Sequence, residues 1–310
     1  MRVLVFSVSL LLFAGMAAAD DDWYPSRYGA DDTLGALNLL SPDKVLRAAR
    51  LITTGKTYAL GIETSRDTPA FGSRTSQVVV VQGSPVGGGS LGKNKATYLD
   101  DILYSWVGVG TQIDGLGHLG IDHRYYNGTH VTEIFNDGGL KKFAIDQLPP
   151  IVGRGVLLNI AALKKRKMLK GGYVITRADL EAAQQRQGVA LEEGDIVITH
   201  TGWAPMAQKD PAKFLATEPG IGAEAAEYLA ERGAVAVGSD GWALEVLPGE
   251  DPDIAFPVHQ ILLAKHGVYI LESIRTDQLV ADDVSEFLFV LGPARFKGAV
   301  QGVINPIAIR

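Results

Sequence analysis

Apolar positions along this chain fall into short extended runs interleaved with segments punctuated as helices. Residues 56–64 and 77–82 read as strands, the second through the β-branched run Val78-Val79-Val80-Val81. Residues 101–109 predict a further strand. Between them, residues 83–95 are rich in Gly and Ser and read as a surface loop or a lid. Strands are also expected over residues 155–160, 195–200, 234–238, 268–274, 287–291 and 299–304. Ser41-Pro42-Asp43 opens a helix, with Ser41 as cap and Pro42 in the first turn. Thr176 caps a second, with Asp179 three residues on and Gly188 at its far end. Residues 224–232, closed by Gly233, and residues 258–265, stopped by Gly267, read as helices. Strands exceed helices and do not alternate strictly with them. The predicted class is therefore α/β in the broad sense, a mixed, curled β-sheet flanked by helices.

Composition bounds the partners. The chain has 310 residues, 46% of them hydrophobic and 21% charged, with a net charge of −6. That is ordinary globular usage, with no basic stripe to suggest nucleic acid or an anionic membrane as partner. Arg2, the apolar stretch from Val3 to Phe13 and the small residues Ala17-Ala18-Ala19 form a signal-peptide pattern. The expected organisation is a cleaved leader over residues 1–19 and a single domain over 20–310, secreted or periplasmic, without a membrane anchor. The chain has no cysteine. Thiol nucleophiles and thiolate ligands are thus excluded, leaving His, Asp, Glu, Gln or backbone to bind any metal.

The chemistry concentrates in Gly110-Thr111-Gln112-Ile113-Asp114-Gly115-Leu116-Gly117-His118. Residues at even spacing in an extended segment share a face, so Gln112, Asp114 and His118 can converge on one point. An amide oxygen, a carboxylate and an imidazole suit a divalent cation. His118 either ligates it or shuttles a proton. His123 sits in a stretch crowded with polar and aromatic residues and is a candidate catalytic group. His200 ends an apolar strand, a common border of a site. Glu272 lies inside the apolar run Tyr269-Ile270-Leu271-Glu272, where a carboxylate needs a partner such as His259. Trp106, Trp203, Tyr125 and Trp242 are candidates for lining a substrate pocket.

These residues carry a resemblance. The segment Gly110–His118 resembles the signature H-x-G-T-H-x-D-x-P-x-H of the cyclase-type metal-dependent hydrolases, the group that includes bacterial kynurenine formamidase and isatin hydrolase. The likeness continues in Thr199-His200-Thr201-Gly202-Trp203, in His259-Gln260-Ile261-Leu262-Leu263 with Gly267, in Ile270-Leu271-Glu272 and in Asn305-Pro306-Ile307. It implies a swivelling β/β/α fold, assembly as a homodimer or homotetramer, and a divalent metal, zinc or manganese. It also implies hydrolysis of a small amide, lactam or lactone, with the third motif histidine in catalysis and the later His and Glu completing the site. Gly108 and Gln112 stand where the first two motif histidines belong. Asp114, His118, His259 and Gln112 then remain to hold one ion, with Glu272 accepting a proton from the water or fixing an imidazole. The Gln-containing version is similar to a branch that includes metal-dependent trans-dienelactone hydrolases, which points to a lactone-type ester. The expected function is hydrolysis of a C–N or C–O bond by metal-activated water. The alternative is a periplasmic small-molecule binding protein that keeps the fold without catalysis.

Overall fold

A computed structural model describes residues 23–82 and 88–310. The leader expected over residues 1–19 and the first part of the glycine-rich segment, residues 83–87, lie outside the described residues.

One nine-stranded sheet organises the molecule. Its strands, in chain order, are β1 (Thr57–Ala59), β2 (Gln112–Asp114), β3 (Ile151–Asn159), β4 (Ile196–His200), β5 (Ala236–Ser239), β6 (Tyr269–Glu272), β7 (Glu286–Leu291), β8 (Gln301–Val303) and β9 (Ile307–Ile309). Across the sheet they run β1-β9-β7-β3-β4-β5-β6-β2-β8. The four central strands β3, β4, β5 and β6 are parallel, and antiparallel pairs extend the sheet on both sides. The sheet curls as a half-barrel with helices packed against it, which is the mixed α/β class expected.

Parallel neighbours need crossovers, and here the crossovers are the helices. Arg177–Gln187 lies between β3 and β4, and Ala223–Glu231 lies between β4 and β5. The first of these is the element the sequence punctuates most clearly. Thr176 Oγ1 accepts from the Asp179 amide, and Gly188 closes the helix at φ +68°. Central strands buried on both faces read as continuous apolar runs. Val156, Leu157, Leu158, Ile196, Val197, Ile198, Val235, Ala236 and Val237 accordingly form the middle of the core.

Two expected elements differ. The extended run at 56–64 pairs regularly only over Thr57–Ala59. Beyond it the Leu60 amide still reaches the Pro306 carbonyl in register, but the amides of Gly61 and Ile62 bond to side chains, Asn305 Oδ1 and Thr111 Oγ1. The helix expected at 258–265 begins as a single turn at Pro257–His259. It continues as a wide π-type segment at Gln260–Lys265.

Strands Ser76–Gln82 and Leu99–Ser105 pair with each other, apart from the main sheet. Val78, Val80, Leu99, Leu103 and Tyr104 are exposed on this ribbon, and Trp106 just beyond it is 56% exposed. From there the chain turns through Gly110 (φ +76°) into β2. A Cβ at Gly110 would lie 2.1 Å from Thr64 Oγ1. Positive φ and close approach together demand glycine there. Gly110→Ala is expected to destabilise the fold by about 2 kcal/mol or more. Urea unfolding of the variant checks this; a midpoint equal to the parent's would contradict it.

Candidate metal centre

The site grows from the register of three strands. β2 pairs antiparallel with β6 on one side and with β8 on the other. Glu272 lies opposite Gln112, and Gln301 lies opposite Asp114. Directly opposed residues share a face of the sheet, as do positions i and i+2 of one strand. Gln112, Asp114, Glu272 and Gln301 therefore form one polar patch, while Ile113 and Leu271 between them point into the core.

Asp114 is fully buried. Its Oδ1 accepts from Gln301 Nε2 at 2.7 Å and from Gln112 Nε2 at 3.1 Å. Its Oδ2 has no hydrogen-bond partner among the described residues. Two imidazole nitrogens face that oxygen, His259 Nε2 at 3.7 Å and His118 Nε2 at 3.9 Å. Those separations exceed a hydrogen bond, and they surround a gap rather than close it. Ligand atoms of Asp114, His118 and His259 all lie within 4.8 Å of one another. A buried, orphaned carboxylate oxygen facing two imidazoles fits a divalent cation. One carboxylate and two imidazoles also leave coordination positions open for water and substrate.

The electrostatics agree. Burial pushes the Asp114 carboxyl up, but His118, His259 and the Gln301 hydrogen bond outweigh it and hold the group below the usual carboxylate range. Burial, helped by His259 and Arg74, pulls the His118 imidazole down against the attraction of Asp114, favouring the neutral, ligating form. Burial acts downward on His259 too, yet Asp114, Glu245 and Glu272 together raise it well above the ordinary value. Burial and the nearby Asp114 charge push Glu272 up to about 8. Three carboxylates thus converge on His259, a local excess of negative charge that a cation would neutralise.

His259 is aimed by Glu245, a residue absent from the sequence-based candidates. Glu245 Oε1 accepts from His259 Nδ1 at 2.5 Å and from the His259 amide at 3.2 Å, and Oε2 accepts from the Val258 amide at 3.3 Å. With Nδ1 engaged, Nε2 faces Asp114 and Glu272 (3.4 Å). A carboxylate behind a histidine fixes its ring and tautomer, the arrangement typical of ligating imidazoles. Glu245 does have a signal in the sequence. It interrupts the apolar run Ala243-Leu244-Glu245-Val246-Leu247, as Glu272 interrupts its own. Gln301 and Arg74 carry no such mark.

Other candidates fall outside the cluster. Gln112 shares the patch, but its Nε2 donates to Glu272 at 2.6 Å as well as to Asp114, so the amide joins the two carboxylates. His123 is exposed, in a tight turn at φ +62°, with its ring 6.4 Å from that of His130. His200 Nδ1 bonds Thr276 Oγ1 at 2.7 Å. Trp203 is buried in a separate small cluster with Met206 and Phe214. Tyr125 packs against the main core, and Trp106 is exposed. None of these five lines the cleft that opens over the cluster. That cleft, about 190 Å³, is walled by Phe71, Trp242, Phe256 and Leu119, with Arg74, Gln112, His118, His259 and Glu272 among its polar groups. Phe71 stacks on Trp242 with ring centres 5.6 Å apart.

Glu245→Gln keeps the size of the side chain and removes its charge and one acceptor. The variant is expected to bind zinc or manganese about 10- to 100-fold more weakly. Titration calorimetry on metal-stripped protein measures this, and unchanged affinity would contradict the role given to Glu245.

Known proteins bear on this geometry. The sequence model for the cyclase family, described as "Putative cyclase", matches residues 58–246. A solved structure described as a novel cyclase is 33% identical, with a TM-score of 0.85, and the match covers 92% of this chain and 98% of that one. Isatin hydrolase A from Ralstonia solanacearum is 19% identical with a TM-score of 0.60, over 82% of this chain and 92% of its own. A predicted metal-dependent hydrolase from Bacillus stearothermophilus is 18% identical with a TM-score of 0.53, over 82% and 97%. These last two share the fold. No curated protein matches the chain. The length of the family match and the 33% identity across nearly the whole fold establish that this chain belongs to the cyclase family.

Proposed function

We propose that this protein is a metal-dependent hydrolase that cleaves a C–N or C–O bond of a small amide, lactam or lactone. The observation that carries the reading is the buried, unpartnered Asp114 Oδ2 facing two imidazoles at the floor of an aromatic cleft. The family membership and the names of the related folds support it. Asp114, His118 and His259 would hold one divalent ion, zinc or manganese, which supplies an activated water and a polarised carbonyl.

The chain's own residues do the rest. Asp114 and Glu245 fix the position and tautomer of His259. Gln301 and Gln112 hold Asp114 Oδ1, so that Oδ2 alone faces the two imidazoles. Glu272 takes the proton of the attacking water at Oε1 and returns it to the leaving group. Its raised affinity for a proton suits that exchange near neutral pH. Phe71 and Trp242 exclude bulk water from one wall.

Two further readings belong to this proposal. The protein is exported after cleavage before Asp20, and it assembles as a homodimer or homotetramer. The exposed apolar ribbon of Ser76–Gln82 and Leu99–Ser105 supports assembly with a second copy, because an isolated two-stranded ribbon is marginal in water.

Asp114→Ala is expected to abolish both metal content and hydrolysis, whereas Glu272→Gln should keep the metal and lower kcat by about 100-fold or more. Elemental analysis and turnover of a panel of lactones, lactams and aryl formamides decide this. Full activity in metal-stripped protein would refute the mechanism. Protein from the periplasmic fraction is expected to begin at Asp20 and to scatter light as a dimer or tetramer. A cytoplasmic monomer beginning at Met1 would overturn both readings.

A further inference from the structure

Gly108 is where the cleft departs from a plain metal pocket. A Cβ built there would lie 2.8 Å from Arg74 Nη1, 2.7 Å from Gln301 Oε1 and 2.9 Å from Gln301 Nε2. The missing side chain at 108 has thus left room that a guanidinium and an amide fill. Gln301 is accounted for by Asp114. The Arg74 guanidinium has no carboxylate partner of this kind among the described residues.

Arg74 is the one lysine or arginine among the residues lining the cleft. It is half-buried. The one hydrogen bond of its side chain among the described residues is a long one, Nη1 donating to the Gly108 carbonyl at 3.3 Å. No carboxylate lies within ion-pair distance of it among the described residues. Arg154, by contrast, reaches both Asp195 (2.7 Å) and Glu286 (2.9 Å). The Arg74 guanidinium instead lies 5.7 Å from the centre of the Phe71 ring, which itself stacks on Trp242. Arginine presents donors in a planar fork that matches a carboxylate. Glu272, in the same cleft, feels the Arg74 charge without reaching ion-pair distance, so a partly desolvated fork beside aromatic faces stays open as a receptor for an anion brought by the ligand.

We propose that Arg74 is the specificity-determining residue of the cleft and that the substrate is a planar, carboxylate-bearing amide, lactam or lactone. Its carboxylate pairs with Arg74, its unsaturated or aromatic body lies along Phe71 and Trp242, and its scissile carbonyl reaches the Asp114, His118 and His259 cluster. The hydrolytic part of this statement rests on the function proposed above; the anion site does not.

The test has two arms on the full chain. In the first, metal-stripped protein is titrated calorimetrically with benzoate and with benzamide, so that no ion competes for the carboxylate. Benzoate is expected to bind and benzamide not, with Arg74→Met weakening benzoate by about 10- to 100-fold and Arg74→Lys by less. Benzoate binding that ignores both substitutions, or no benzoate binding at all, overturns the proposal. Thermal unfolding monitors the fold of both variants, and Arg74→Lys keeps the arm decisive should Arg74→Met unfold. In the second arm, zinc- or manganese-loaded protein hydrolyses a lactone bearing a free carboxylate and the methyl ester of the same acid. The parent is expected to favour the free acid about 10- to 100-fold in kcat/KM, and Arg74→Met to lose that preference. Equal turnover of both compounds by the parent refutes the substrate class while leaving the hydrolase reading intact. Arg74-dependent benzoate binding with no turnover of any substrate does the reverse: the anion site stands and the hydrolase reading falls.

Discussion

The structure depends on what is done with one buried charge. Asp114 is fully enclosed between two neighbouring strands. An unpaired carboxylate in such a place costs several kcal/mol of lost hydration. Hydrogen bonds from Gln112 and Gln301 offset part of this on Oδ1. Nothing among the described residues does so on Oδ2. A fold that tolerates this must recover the difference from neighbouring positive charge. In the ion-free chain that charge sits on His259, whose affinity for a proton three carboxylates raise. A divalent cation does the same work with more charge and displaces that proton, so metal binding and protonation of His259 compete for one position.

Placement of the charge is a matter of backbone register. β2 is only three residues long, yet both of its neighbours contribute to its polar face. A slip of one residue in either pairing would turn Glu272 or Gln301 toward the opposite face. Behind this patch, Glu245 holds the backbone amides of Val258 and His259 together with the His259 ring. It thereby ties the start of the Pro257–His259 turn to the orientation of a ligating nitrogen. The candidate ligand set thus comes from β2, the turn that follows it and a distant helical turn, each fixed by its own hydrogen bonds.

The local part of this was legible in the sequence. Asp114 and His118 belong to one short segment, but the extended backbone ends at Asp114 and a turn brings His118 back toward it. Glu272 was legible for a second reason, because a carboxylate in an apolar strand demands compensation. The same reasoning applies to Glu245, where the apolar run is as clear. Gln301 and Arg74 could not be read, since one reaches Asp114 through a strand pairing 187 residues distant and the other through a steric vacancy at Gly108. His123 shows the converse. It lies near His118 in sequence, but the turn at Asp122 and His123, both at positive φ, carries it to the surface. Proximity along the chain does not by itself decide which side chains meet: one turn keeps His118 beside Asp114 and another carries His123 away. Aromatic candidates were weakest for the same reason: whether Trp203 lines a pocket or fills a core depends on what packs on it, and Met206 and Phe214 do.

Gly108 joins these strands of argument. A histidine there would have to displace the Arg74 guanidinium and the Gln301 amide at once, since both lie under 3 Å from its Cβ. Losing Gln301 from its place would remove the 2.7 Å hydrogen bond on Asp114 Oδ1 and leave a second oxygen of the buried carboxylate poorly satisfied. Losing Arg74 would remove the one permanent cation lining the cleft. Glycine at 108 is therefore not a simple vacancy. It is coupled, through contact, to a carboxamide that steadies the buried aspartate and to a fixed positive charge lining the cleft. A single substitution at 108 would disturb both at once, so the candidate metal pocket and its guanidinium are a unit in this chain.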